Sequence, residues 1–557
     1  MVFQFLEFQE AINRRSNFSM LNNRLALIVI STILILSGCG MGDNVKELEQ
    51  SAWDTMNLDR VSVHDPSVTY LVNENGEEQF YIFGTHIAQA KSKDLVSWDV
   101  PFNTEYENMD DNIIYGNTKE NLAETFEWAG YDDADSSGGY NLWAPDVIWN
   151  PDYKWPNGDQ GAYMIYYSST STWRRSAIGF AVAKTIEGPY SYDSTVVYSG
   201  FTQNDSTDGS DRNTQYENTH LKELIADGII SGFNEEWAIE SGLTYNTDYA
   251  PNAIDPTLFY DEDGSLWMTY GSWSGGIFIL QMDPETGKPI YPGEDSLTED
   301  GRVVDRYFGT KLSGGFHQSG EGPYIVYDEE TGYYYLYITY GGLAANGGYN
   351  MRLFRSENPE GPYLDAKGNS PVLAQGDQNY DYGIKLLGNY KFSHQTIGYK
   401  AAGHNSAFID KDGNHFLVFH TRFNSGNEMH EVRVHQMFLN EDEWPVPVPY
   451  EYTGQKNQPV SLPDEEVVGE FEFINHGTDN GTTMIETQLI QLNENGEISG
   501  DITGNWEQKE DGNITFTIND VTYKGILLKQ DVEKLEDEVL TFAAIGDNNE
   551  LIWGSKH

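Results

Sequence analysis

Residues 252–260 read NAIDPTLFY, an ionisable residue and a proline followed by a short run of β-branched and aromatic side chains. The same opening recurs in either direction along the chain: VHDPSV at 63–68, LWAPDVIW at 142–149, SGEGPYIVY at 319–327 and AGHNSAFID at 402–410. The polar residues heading these runs are Asp65, Asp146, Asp255, Glu321 and His404. Each run is followed by a turn and a second aromatic-rich segment: YIFGTH, MIYYSS, WMTYGS, YLYITYGG and FLVFHTR. Strands this short bury no face alone, so five such units predict a radial array, a five-bladed β-propeller. The first strand of each blade then lines a central axis. Its leading polar residues predict carboxylates and one histidine around a single funnel.

Composition agrees with an all-β chain. Of 557 residues, 36 are Tyr, 26 Phe, 13 Trp and 55 Gly, which suits many short strands and tight turns. The 87 acidic residues against 33 basic ones give a net charge of −54. No basic face is available for a nucleic acid or an anionic membrane. A neutral substrate tolerates such a surface.

The single cysteine, Cys39, excludes an intramolecular disulfide. Arg14, Arg15 and Arg24 precede an apolar run at 25–36, and LSGC closes it at 36–39. This layout resembles a bacterial lipoprotein signal, with Cys39 lipidated and the run too short for an ordinary membrane-spanning helix. Met20 gives a more compact signal than Met1. The expected organisation is a signal at 1–39, a polar tether at 40–60, the propeller at 61–453 and a second β domain at 460–557. Membrane contact is expected only through the lipid, the location is expected to be outside the cytoplasm (cell-surface or secreted), and a monomer is expected.

Two acidic, Gly- and Asn-rich stretches, 105–140 and about 200–250, interrupt the repeat and read as funnel rims or as disorder. Blade three is expected to end near Pro292. DEDG at 261–264 lacks the ligand ladder of an EF-hand and reads as a hairpin turn. ENPEGPYLD at 357–365 echoes TIEGPYSYD at 185–193, the most literal internal repeat. Beyond 460 the strands are short and alternating, which predicts a barrel or sandwich.

Carboxylates from different blades facing one channel suit hydrolysis of a glycosidic bond. One must be ionised to activate water, another protonated to release the leaving oxygen, and a third can bias the second. Taken singly, an acid before proline has an ordinary strand-entry explanation; four at the same place in successive units change that balance. Trp143, Trp149, Trp273 and Phe316 lie beside these positions and could stack on sugar faces. No G-x-S-x-G elbow or H-E-x-x-H metal motif occurs.

On these motifs the sequence resembles glycoside hydrolase family 43, with the match running from Val61 to about Val448. The resemblance implies a five-bladed propeller and an inverting hydrolase. HDPSV resembles the general-base motif and implies that role for Asp65. IDPTLF implies that Asp255 adjusts the acid's pKa and orientation, and EGPYI implies that Glu321 is the general acid. WAPDV, NAIDPTLFYDEDG and GSWSGG look most like the endo-acting 1,5-α-L-arabinanases, which implies an arabinan (pectic polysaccharide) substrate. The implied substrate contacts are Trp143, Asp146, Asn252, Trp273, Phe316 and Arg422, the last also a base-positioning candidate. GHN implies that His404 holds a calcium ion, largely through waters. The alternatives are an exo-acting arabinofuranosidase or β-xylosidase of the same fold, and a non-catalytic glycan-binding propeller.

Overall fold

A computed structural model describes residues 60–99, 107–173, 175–395, 397–532, 535 and 538–556. The expected signal with Cys39, and all of the tether but Arg60, lie outside these residues. The described chain is almost wholly β. Four antiparallel sheets have four strands each, and each sheet's strands follow one another in chain order. They begin with strands Ser67–Val72, Trp143–Lys154, Glu321–Asp328 and Tyr399–Ile409. A further sheet beginning with Thr257–Tyr260 has seven strands.

This larger sheet departs from the expected regular repeat. Its third strand, Ile277–Asp283, pairs with Gly309–Ser313 rather than ending the unit near Pro292. The intervening chain adds short strands at Lys288–Ile290, Ser296–Leu297 and Val303–Asp305. The insertion lacks the turn-and-aromatic signature of the repeat, so the motif spacing did not reveal it.

Hydrogen bonds between the first strands, and in one case to a second strand, tie the sheets around a common axis. Thr69 Oγ1 donates to Val147 O at 2.8 Å, and the Leu258 amide donates to Asp146 Oδ2 at 2.7 Å. Thr257 Oγ1 donates to Pro323 O at 2.8 Å, and the His404 amide to Thr339 Oγ1 at 2.8 Å. Ser406 Oγ closes the circuit by donating to Pro66 O at 2.7 Å. Apolar packing accompanies that closure: Val63, Val68, Phe80 and Ile82 share a cluster with Phe408, Phe416, Val418 and Val432. Burial of such side chains is worth about 2 kcal/mol each, so the last sheet seals onto the first without a covalent clasp.

Both long excursions are packed where they are described. Helix Ala123–Ala129 buries Phe126 and Trp128. In the second, Trp237 is fully buried, stacks edge-on with Phe201, Tyr307 and Phe308, and donates from Nε1 to Asp305 Oδ2 at 2.8 Å. Disorder, one of the two readings of these stretches, does not hold there.

Beyond Gly469 eight strands form a closed barrel, with Gly469–Asn475 pairing with Leu551–Lys556 to complete it. Closure removes both sheet edges. The interior holds Phe471, Phe473, Phe516 and Phe542.

Candidate active site

Each first strand turns through backbone of unusual hand, at its entry or, in the strand Tyr399–Ile409, at an irregularity within it. Asp65, Ala144, Asp255 and His404 have φ of +55°, +37°, +57° and +46°. Side chains other than glycine adopt this region at a cost and cluster in it at functional sites. In the fourth sheet the turn falls on Gly322, with φ +57°, immediately after Glu321. A Cβ there would lie 2.8 Å from the His404 ring, so glycine lets the histidine close over the strand.

Asp65 is 5% exposed. Its Oδ2 accepts from Thr85 Oγ1 at 2.6 Å. That hydroxyl accepts in turn from the Ala144 amide at 2.8 Å, which commits its own proton to the carboxylate. Oδ1 is ringed by imidazoles: Nδ1 of His64 at 2.8 Å, of His404 at 3.1 Å and of His420 at 3.8 Å. None of these rings is aligned to give Oδ1 a well-formed hydrogen bond. Burial alone would raise the Asp65 pKa, but His404 and His64 overcome it and hold the carboxyl well below its usual range.

Arg422 stands behind this group, 4% exposed. Its guanidinium lies 3.2 Å from His64 Nε2, 3.3 Å from His420 Nε2 and 2.9 Å from the Glu428 carboxylate. A guanidinium only donates, so His64 Nε2 accepts and the ring proton belongs on Nδ1, facing Asp65. Arg422 therefore backs Asp65 through the two histidines.

Asp255 is pushed up to about 7, chiefly by burial, with His404 opposing and the Glu321 and Asp65 charges adding. Its Oδ2 accepts from the Gly322 amide at 3.2 Å, linking it to the residue after Glu321. For His404, burial lowers the pKa, yet the three carboxyls of Asp65, Asp255 and Glu321 raise it to about 9. Glu321 accepts from Trp273 Nε1 at 2.8 Å and Ser272 Oγ at 3.2 Å on Oε2, and from the Tyr349 hydroxyl at 2.7 Å on Oε1. Asp65, Asp255, Glu321 and His404 thus form one electrostatic unit drawn from four sheets.

The other expected contacts divide. Asp146 is 3% exposed and both its oxygens are used, one by the Ser67 hydroxyl and one by the Leu258 amide. It clasps three first strands and offers nothing to a sugar, because its strand turns two residues earlier, at Ala144. Asn252 Oδ1 accepts from Ser199 Oγ at 3.4 Å and shapes the turn before Asp255. Trp143 is half-buried, its indole N–H donating to Asp135 O at 3.0 Å and its ring edge-on to His86. Phe316, 37% exposed, sits on the loop that carries His317, whose ring packs on Trp273. Motif reading missed His64, His420, Thr85, Ser272 and Tyr349. The two histidines stood in view, in VHDPSV and FHTR; Tyr349, 28 residues from Glu321 in sequence, had no signal.

Two polar clusters could ligate a cation among the described residues: His64, Asp65 and His420, and Glu78, Asp410 and Asp412. Lys456 already sits on the second, 2.6 Å from Asp410 and 3.0 Å from Asp412. The first is rich in nitrogen, whereas calcium takes six to eight oxygens. His404 borders it and faces three carboxyls, a setting that suits a hydrated cation.

Residues 234–445 match the family described as Glycosyl hydrolases family 43, and 449–554 match a C-terminal lipocalin-like domain. Extracellular endo-alpha-(1->5)-L-arabinanase 2 of Bacillus subtilis (strain 168) is 40% identical over 508 residues, covering 89% of this chain and 93% of its own. The extracellular endo-alpha-(1->5)-L-arabinanase of Thermotoga petrophila is 40% identical over 509 residues, covering 88% and 93%. The crystal structure of endo-1,5-alpha-L-arabinanase from Thermotoga petrophila RKU-1 superposes with a TM-score of 0.73 at 38% identity, covering 90% of this chain and 99% of its own.

Proposed function

The chain belongs to glycoside hydrolase family 43, and from that membership we propose that it is an endo-acting 1,5-α-L-arabinanase working with inversion. One observation carries the reading: Asp65, Asp255 and Glu321, from three different sheets, meet with His404 in a single electrostatic unit. The seven-stranded sheet is read as the remaining blade of a five-bladed propeller.

Asp65 is the general base. Thr85 fixes Oδ2, and the neighbouring histidines keep the carboxyl ionised, so Oδ1 is free to take the proton of an attacking water. Glu321 is the general acid. Trp273 can only donate, so Oε2 stays an acceptor and the transferable proton belongs on Oε1; once that proton has left, the Tyr349 hydroxyl donates to Oε1 and stabilises the carboxylate. As the glycosidic bond breaks, that proton goes to the leaving oxygen while hydroxide forms the new bond on the opposite face of the sugar. An inverting mechanism requires a gap of about 6.5–9.5 Å between the two carboxyls. Asp255, its carboxyl pushed up to about 7 and therefore about half protonated at neutral pH, orients Glu321 through the Gly322 amide.

A calcium ion held by water and by a neutral His404 is part of this proposal; its charge would take the place of the imidazolium proton that the three carboxyls otherwise hold on the ring up to about pH 9. It would supply fixed positive charge beside the carboxyls. The two relatives carry the word extracellular in their names, which supports a location outside the cytoplasm; attachment through Cys39 is tested by metabolic labelling with a fatty acid.

The deciding experiment is chromatography of early products from debranched linear arabinan. A ladder of arabino-oligosaccharides supports endo action. Arabinose alone from the start would make the protein an exo-enzyme. A folded protein giving no product from arabinan or xylan would leave a glycan-binding propeller. Glu321→Gln should lower turnover of the polymer by about 10²–10⁴-fold, and unchanged turnover would remove Glu321 from the mechanism.

A further inference from the structure

Tyr349 reaches Glu321 from a segment that the propeller sheets do not hold alone. It follows Gly348, whose φ is +74° and whose Cβ, if it had one, would lie 2.2 Å from Asn480 O. Asn480 belongs to the chain that runs from the first barrel strand, Gly469–Asn475, to the second, Gln488–Leu492. A loop of the C-terminal barrel is therefore pressed against the backbone that presents Tyr349.

The polar contacts fix which way each amide points. Arg352 is fully buried. Its guanidinium donates to Thr478 O, to Asn480 Oδ1 at 3.0 Å and, through Nε, to Asn350 Oδ1 at 2.7 Å. Because arginine only donates, both asparagines must turn their oxygens toward it. Asn350 is left to donate from Nδ2 to Gly348 O at 2.8 Å and to Asn480 Oδ1 at 3.1 Å. Asn480 is left to donate from its own Nδ2 to Asn379 Oδ1 at 3.2 Å. Asn379 then donates to Ser319 O at 2.6 Å, and Ser319 Oγ accepts from the Gly341 amide at 3.0 Å. The orientation is set at both ends, by a guanidinium that cannot accept and a carbonyl that cannot donate.

One side chain thus has two arms. One runs through Asn350 to the residue before Tyr349, whose hydroxyl meets Glu321 Oε1. The other runs through Asn379 to Ser319, two residues before Glu321 in the same segment. We propose that Asn480, on the barrel, is a positioning residue for Glu321, holding Tyr349 and the acid in register. This rests on the reading of Glu321 as general acid. It gives the barrel a role in proton delivery beyond that of an accessory module.

The test separates proton delivery from folding and from substrate binding. A 2-chloro-4-nitrophenolate leaving group departs without protonation, whereas the sugar alcohol in arabinan does not. Asn480→Ala and the near-isosteric Asn480→Asp are compared with Tyr450→Phe. The latter removes another cross-domain bond, Tyr450 hydroxyl to Ser555 Oγ at 2.6 Å, that leads to neither Tyr349 nor Ser319. Asn480→Asp keeps an acceptor for Arg352 but sets two oxygens against each other at Asn379, so it breaks one arm only.

For Asn480→Ala we expect kcat on linear arabinan to fall about tenfold, a fraction of the range for general acid catalysis. KM should hold, the alkaline limb of the pH profile should move, and hydrolysis of the 2-chloro-4-nitrophenyl arabino-oligosaccharide should stay within about twofold. Asn480→Asp should show the same pattern more weakly, and Tyr450→Phe neither effect. Equal loss on both substrates, or loss on neither, overturns the proposal. Should Glu321→Gln itself show no preference for the activated leaving group, the assignment of the acid falls first and this inference with it.

Discussion

The indole Nε1 of Trp273 donates to Oε2 of Glu321 at 2.8 Å, from backbone at φ +49°. The ring expected to stack on a sugar presents its polar edge to a carboxylate. Trp273→Phe keeps most of the ring and removes that donor. A hydrogen bond to a charged group is worth about 1.5–3 kcal/mol, so kcat on arabinan should fall by roughly 10- to 100-fold with little change in KM. Steady-state kinetics on linear arabinan decide it. A raised KM at unchanged kcat would return Trp273 to the role of sugar platform.

Asp65 should behave as a base rather than as an electrostatic anchor. Asp65→Asn keeps an acceptor for Thr85 and removes the proton acceptor, so turnover should fall by about 10²–10⁴-fold. Azide needs no deprotonation and fits where water attacks, so adding it should restore rate and yield an arabinosyl azide of inverted configuration. An azide product of retained configuration would make the mechanism a double displacement.

The legible part of this molecule was the part that repeats. Asp65, Asp255, Glu321 and His404 could be placed together because each opens a strand of the same kind, and a radial array puts equivalent positions on one axis. Asp146 obeyed the same pattern and was misread for that reason: the turn in its strand falls on Ala144, so its carboxylate points into the strand clasp. Tyr349 and Asn480 lay beyond reach. Their contacts with the acid and its support depend on a glycine with positive φ and on a loop of a second domain, which no periodicity encodes. His64 and His420 were visible but carried no weight singly, since their role arises from Arg422 fixing the ring of one beside Asp65.

His404 carries a test of the proposed cation. If calcium sits with water between His404 and the carboxyls, chelation should lower arabinan hydrolysis severalfold and added calcium should restore it. His404→Ala should lower activity and abolish that response, while near-ultraviolet circular dichroism stays native. Calcium titration followed by calorimetry gives a readout independent of turnover: one site in the parent, none in His404→Ala. Activity untouched by both chelation and substitution would leave His404 as an electrostatic support for Asp65.

Asp146 makes a prediction about stability alone. Burial pushes its carboxyl up to about 6, against the opposing hydrogen bonds from Ser67, Leu258 and Val147. The folded chain therefore holds this proton over a range, from about 4 to about 6, in which the unfolded chain has released it. Stability must then decrease as pH rises through that window and level off above it. A two-unit displacement of one group corresponds to about 3 kcal/mol at most. Asp146→Asn carries no charge at any pH, keeps an oxygen for the Leu258 amide, and turns its NH2 toward a Ser67 hydroxyl that can accept. The variant should melt at or above the parent temperature at pH 8, with a shallower slope between pH 4 and 7 and little change in arabinan turnover. Thermal scans across that range check it. A variant several degrees less stable at pH 8 would mean that the ionised carboxylate holds the three strands together.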